Sequence, residues 1–171
     1  MVFSGDWEID NLIMTDILDG IEFYSCSRRK NMLRKGKFKF SKYDQGSMLY
    51  GLTWRGYLKP GVYRQRCPKT SMFMTKIMGQ HPELDEIFRE FADFHFPDFD
   101  YGSVQINKNF PCPRHIDGSN KSKSILCCFG DYTGGETCVE YPAGIKELFP
   151  QKKPVCFDGS KYYHWTKPFE G

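Results

Sequence analysis

The sequence is poor in everything that marks an exported or membrane-bound chain. No apolar run among its 171 residues approaches the roughly 18 residues that a spanning helix needs. The opening MVFSGDWEID is acidic and lacks the apolar stretch of a signal peptide. Cysteine occurs seven times, an odd count, and no two cysteines are spaced as CxxC. These absences point to reduced thiols in a cytoplasmic or nuclear protein, not a secreted one, with no membrane partner. They also argue against a structural zinc site made of cysteines. Cys127, Cys128, Cys138 and Cys156 fall in strand-like runs, where a thiol packs as a small hydrophobe.

Acidic residues are missing from one long region. From Cys26 to Lys76 there are fourteen Lys or Arg and a single acid, Asp44, whereas the first 25 residues carry six acids and no base. Tyr43, Tyr50, Trp54, Tyr57 and Tyr63 are interleaved with the positive charges. Such a block suits a phosphate backbone with rings for stacking, so nucleic acid is an expected partner through region 26–76. A solvated basic face of a sheet is the plainer alternative.

What is present is the composition of a globular protein: 15 Phe, 10 Tyr and a net charge near +3. At this length one domain is expected over 1–171. Apolar residues at 9, 12, 13, 17 and 18 predict a helix over Ile9 to Ile21, ended by Gly20. SMLYGLTW (47–54) and GVYRQ (61–65) read as strands. Pro82 opens the clearest helix, PELDEIFREFADF. There Leu84, Ile87, Phe88 and Phe91 share a face, and Glu83, Asp85 and Glu86 sit at the positive end of the dipole. Beyond Tyr101 the runs YGSVQINKNF, KSILCCFGDY, GETCVEY and KPVCFDG read as short strands, with DYTGGET as a hairpin connection. Helices before residue 100 and strands after it predict an α+β, mainly β chain, with helices packed outside a sandwich or barrel core.

The scarcest side chain is the most informative. There are four histidines. His81 precedes the Pro82 helix and reads as a cap-region residue. His95, in FADFHFPDF, reads as a packed histidine. The third lies in CPRHIDGSNKS, where His115 and Asp117 straddle one residue; on a strand both side chains then point to the same face. His164, 47 residues after Asp117, is the natural third partner. Two imidazoles and one carboxylate make the facial triad of non-haem Fe(II) oxygenases, which leaves the opposite face of the ion open. Asn107, Asn109 and Asn120 are candidates to orient those ligands or to contact a co-substrate; as turn and strand-end residues they have an equally ordinary reading. Tyr132 and Trp165 flank the candidate site and read as core aromatics.

The segments SVQINKNFPCPRHIDGSNKSKSILCCFGDYTGGETCVEY and VCFDGSKYYHWTKPFEG carry N-x-N, H-x-D-x-x-N, G-D-Y-x-G-G-E, F-D-G, H and P-F-x-G in that order. This series resembles the core of the Fe(II)/2-oxoglutarate-dependent dioxygenases and covers residues 101–171. The resemblance implies a double-stranded β-helix, a jelly-roll or cupin-like core, over 101–171, with 1–100 as a helical and basic support region. It implies Fe(II) on His115, Asp117 and His164, with 2-oxoglutarate and dioxygen as co-substrates and ascorbate as an accessory reductant. The reaction implied is hydroxylation of a C–H bond coupled to decarboxylation of 2-oxoglutarate to succinate. In the family an Arg or Lys about ten residues past the distal histidine pairs with the far carboxylate of 2-oxoglutarate. Here Lys167 is the only basic residue after His164, and it stands too near the metal ligand for that role. A chain ending at Gly171 is therefore expected to be a C-terminally truncated fragment. The substrate expectation leans to a nucleic-acid base, flipped into the site. A protein side chain, as in prolyl-type hydroxylases, and a small molecule come next. A non-catalytic β-helix module that binds a partner is the reading from another class.

Overall fold

The computed structural model describes residues 2–22, 46–53, 73–118, 120 and 122–171. The strand read at 61–65, most of the basic block 26–76, and Tyr43, Trp54, Tyr57 and Tyr63 lie outside the described residues. The elements begin with α1 (Trp7–Asp19), β1 (Gly46–Thr53), β2 (Phe73–Met74), α2 (Lys76–Gln80), α3 (Glu83–His95) and β3 (Ser103–Lys108). They continue with β4 (Ser124–Leu126), β5 (Thr133–Gly134), β6 (Thr137–Tyr141), β7 (Gly144–Leu148), β8 (Val155–Phe157), β9 (His164–Thr166) and β10 (Phe169–Glu170). Among the described residues every strand pair is antiparallel, and the strands form four sheets of two or three strands each. The fold is thus mixed α and β with small antiparallel sheets, and among the described residues no sheet closes into a barrel.

The chain divides into two compact units that are not halves of the sequence. One takes Met1–Val2 and Phe23–Phe110; the other takes Phe3–Glu22 and Pro111–Gly171. The expected division at residue 100 differs in two places: α1 groups with the C-terminal segment, and β3 groups with β1.

In the first unit α3 follows the predicted period. Leu84, Phe88, Phe91 and Ala92 are buried along one face. Each fully buried Leu or Phe contributes about 1.5–3 kcal/mol by leaving water. Glu83, Asp85 and Glu86 occupy the first turn, where carboxylates meet the positive end of the helix dipole. Phe96 caps the helix just before Pro97. β1 lies between β2 and β3, with Tyr50 opposite Val104 and Met48 opposite Ile106. Tyr50 corrects an expectation: it is 2% exposed, meets the Phe88 ring edge-on at 5.3 Å, and donates its hydroxyl to His81 O at 3.2 Å. It belongs to the core and offers no ring for stacking. His95 packs on Phe91, with ring centroids 4.5 Å apart. His81 stands between α2 and α3, its Nδ1 3.0 Å from Glu83 Oε1.

In the second unit α1 forms where its apolar period predicts, capped by the Asp6 carboxylate accepting from the amides of Glu8 and Ile9. The face it buries is only in part the apolar one, with Ile13, Ile17 and Leu18 half-buried. Ile9 and Leu12 are exposed, while Met14 and Asp10 are buried. Polar anchors decide the rotation. Asp10 accepts from Ser4 N at 2.7 Å, Ser4 Oγ at 2.8 Å and Gly5 N at 2.9 Å. Trp7 Nε1 donates to Gln151 O at 2.7 Å, and Asn11 Nδ2 to Cys128 O at 2.9 Å. A buried carboxylate is costly unless it is satisfied, and three donors satisfy this one.

The strands of this unit make three sheets, β7-β6-β9, β4-β8 and β5-β10. Val139 at the centre of β6 is fully buried and pairs with His164. The DYTGGET stretch is not a hairpin: β5 pairs with β10, and the hairpin is β6–β7. Gly134 takes φ 79°, and a Cβ there would stand 2.5 Å from Pro168 O; glycine permits both the conformation and the close approach. Cys156, expected as a small core hydrophobe, is exposed instead; Cys138 is buried.

Candidate metal centre

His115, Asp117 and His164 come together in the second unit. The chain at 115 runs antiparallel to β9: His115 N donates to His164 O and His164 N to His115 O, both at 3.0 Å. Asp117 N donates to Gly159 O at 2.9 Å. Residues two apart on one extended segment face the same way. His115 and Asp117 therefore point together, and the bridge sets His164 beside them. Ile116, between the two, is more exposed than either.

The facing atoms are ligand atoms. His115 Nε2 is 3.4 Å from Asp117 Oδ1, and His164 Nε2 is 3.7 Å from Asp117 Oδ2. One ligand atom from each residue lies within 4.8 Å of the other two. Ligand atoms about 2.1 Å from a common ion lie roughly 3–4 Å apart, so the three need only small side-chain adjustments. Among the described residues this is the only cluster of histidine, cysteine or carboxylate side chains close enough to share an ion.

The other ring nitrogens fix the tautomers. His115 Nδ1 donates to Pro113 O at 2.6 Å and His164 Nδ1 to Tyr162 O at 3.1 Å. A carbonyl cannot donate, so each neutral ring carries its proton on Nδ1 and presents a bare Nε2 lone pair to the centre. His164 is held neutral against acid. Burial, the largest cause, and the nearby His115 lower its pKa below the ordinary 6.5. The Phe157 ring meets it edge-on, with centroids 5.0 Å apart. Its side chain is 8% exposed, against 26% for His115 and 34% for Asp117. One side of the cluster is therefore packed and the other open to solvent.

Of the three candidate asparagines, Asn120 contacts the cluster. Asn120 Nδ2 donates to Asp117 Oδ2 and to Ser124 Oγ, both at 3.0 Å. It braces the carboxylate, as outer partners of metal ligands commonly do. Asn107 and Asn109 fall in the other compact unit. Asn107 Oδ1 accepts from Ser47 Oγ at 2.8 Å, and Asn109 ends β3 in a left-handed conformation at φ 49°. Lys167 is engaged by acids, 2.7 Å from Glu147 and 4.0 Å from Glu136. Arg114, one residue before His115, lies over the Tyr163 ring at 3.7 Å and pairs with Glu140 at 2.6 Å. Tyr132 meets Phe169 edge-on, and both Tyr132 and Trp165 are half-buried.

Sequence reasoning missed Gly159. A Cβ there would stand 2.7 Å from Asp117 Oδ2 and 3.1 Å from His164 Cε1, whereas Gly118, beside Asp117, faces open space. The signal available was the F-D-G triplet ahead of His164, and it does not say which atoms lie against the glycine.

Comparisons with protein-family models, with curated proteins and with solved structures found no match.

Proposed function

We propose that the chain is an Fe(II)- and 2-oxoglutarate-dependent dioxygenase that hydroxylates a C–H bond. The observation that carries the reading is the meeting of one ligand atom each from His115, Asp117 and His164 within 4.8 Å of one another. The donor set fits the ion. Two neutral imidazoles and one carboxylate suit Fe(II), and three protein ligands leave positions for a chelating co-substrate and dioxygen. The fold proposed around it is a double-stranded β-helix, supported by antiparallel pairs that join distant segments, such as β4 with β8 and β6 with β9.

In this reading His115, Asp117 and His164 hold the metal, and Asn120 keeps Asp117 turned toward it. Phe157 and Val139 keep water from the packed side of His164. The open side, bounded by His115 and Asp117, receives the co-substrate. When bound, Fe(II) supplies the coupling of 2-oxoglutarate decarboxylation to oxidation of the substrate. Asn107 and Asn109 were expected to contact the co-substrate; their place in the other unit leaves that role to be tested by substitution.

The direct experiment is succinate production from 2-oxoglutarate with Fe(II), dioxygen and ascorbate. The expected result is iron-dependent succinate that disappears in His115→Ala and Asp117→Ala. Succinate no higher than an iron-only blank, over a range of nucleic-acid and peptide substrates, would favour a non-catalytic binding module. The substrate proposal leans to a nucleic-acid base, supported by the basic sequence 26–76. Such a partner must be lost steeply as salt rises; binding that is flat with salt would turn the search to protein side chains, including prolyl targets.

A further inference from the structure

The turn between β8 and β9 delivers His164, and it is tied more tightly than a connecting turn requires. Asp158 Oδ1 accepts from Ser160 Oγ at 2.6 Å and Ser160 N at 3.2 Å, and Lys161 Nζ lies 3.1 Å from Asp158 Oδ2. The Asp158 carbonyl accepts from the amides of Lys161 and Tyr162, both at 3.1 Å. These bonds set the place of the one residue between Asp158 and Ser160, which is Gly159. Its carbonyl receives the Asp117 amide at 2.9 Å. Its Cα faces the ligand cluster: an added Cβ would lie 2.7 Å from Asp117 Oδ2, 3.1 Å from His164 Cε1 and 3.4 Å from Phe157 Cε2. The backbone of Gly159 is not left-handed, so the demand for glycine comes from space alone.

The three neighbours differ in what they can yield. Phe157 and His164 are buried rings in a close-packed interior, where little moves at low cost. The Asp117 carboxylate is the end of a short side chain, one third exposed. A methyl group at 159 would therefore displace the carboxylate before it displaced the fold. That displacement breaks the Asn120–Asp117 hydrogen bond, leaving Asn120 with Ser124 alone, and removes one of three donors from the ion.

We propose that Gly159 is a positioning residue of the metal centre: its bare Cα leaves the room that holds Asp117 in ligating position, while its carbonyl aligns the Asp117 backbone. The inference rests on the metal-centre reading and goes beyond it, because a residue that touches no ion sets the ion's affinity.

The experiment is Co(II) titration followed by visible d–d absorption, with circular dichroism and thermal melting of the same samples. Wild type, Gly159→Ala, Asp117→Ala and the double variant are compared. Gly159→Ala is expected to melt close to wild type and to bind Co(II) about 10–100-fold more weakly with altered d–d bands, the range seen when support around a ligand is lost. The double variant is expected to bind no more weakly than Asp117→Ala, because both substitutions remove the same donor. Co(II) affinity and bands in Gly159→Ala equal to wild type would overturn the proposal and leave the metal centre standing. Absence of Co(II) binding by wild type would overturn both. If Gly159→Ala does not fold, a folded double variant supports the clash with the carboxylate, and a double variant that is also unfolded overturns it.

Discussion

Ligand binding to the folded state alone raises stability by RT ln(1 + [L]/Kd), and this gives the proposed metal centre a thermodynamic signature independent of any reaction. At a free metal concentration 100 times Kd the gain is about 2.7 kcal/mol. For a chain of 171 residues each kcal/mol moves the melting temperature by about 2–4 °C, so the expected shift is about 5–11 °C. Where the unit formed by Phe3–Glu22 and Pro111–Gly171 melts by itself, the shift is larger, because smaller units move about 4–8 °C per kcal/mol. Asp117→Ala removes the only negative donor of the cluster. Loss of a support around a ligand weakens a metal about 10–100-fold, and loss of the ligand itself belongs at or beyond the upper end. A loss of about 100-fold leaves RT ln 2, about 0.4 kcal/mol, and a shift of about 1–2 °C. The assay is differential scanning fluorimetry with Co(II) or anaerobic Fe(II), reversed by a chelator. His164→Ala should behave as Asp117→Ala does. Equal shifts in wild type and both variants would refute the reasoning, since the ion would then be bound elsewhere.

The depressed pKa of His164 predicts a pH dependence of the metal-free protein. The folded state binds this proton less readily than the unfolded chain, so the contribution is fully present above the ordinary value of 6.5 and is lost as pH falls from there through the folded value. Denaturant midpoints between pH 7.5 and the acid side should fall less for His164→Gln than for wild type, and parallel curves would contradict the assignment. Thiol reactivity is the other check. Burial and the adjacent Cys128 push the Cys127 thiol up to about 12, and burial raises Cys128, so neither is a thiolate at pH 8. Among the described cysteines, exposed Cys156 should take up iodoacetamide before Cys127, Cys128 and buried Cys138, which are labelled only on unfolding; rapid labelling at 127 in folded protein would show that the packing is wrong.

Much of the local structure was legible in the order of residues. The 3.6-residue period and acidic first turn of PELDEIFREFADF produce α3, with Leu84, Phe88 and Phe91 buried on the expected face, Ile87 only half-buried and Ala92 buried beside them. The short apolar or alternating runs near Val104, Val139 and Val155 produce β3, β6 and β8. The α1 region shows where that legibility stops. Its apolar spacing specifies a helix, but Ile9 and Leu12 face outward because Asp10, Asn11 and Trp7 find hydrogen-bond partners at Ser4, Cys128 and Gln151. Those partners lie up to 144 residues away, and a helical period carries no information about them.

By itself the sequence determined which side chains are chemically able to ligate. It holds one H-x-D, one later histidine and few competitors, and the one-residue spacing of His115 and Asp117 sets both on the same side of an extended strand. Only the tertiary structure decided that His164 joins them, that Asn120 braces the carboxylate, and that Gly159 is the close neighbour. Spacing along a strand is a property of the backbone repeat, whereas those three facts depend on which segments pair, and pairing is set by burial and hydrogen bonding summed over the whole unit.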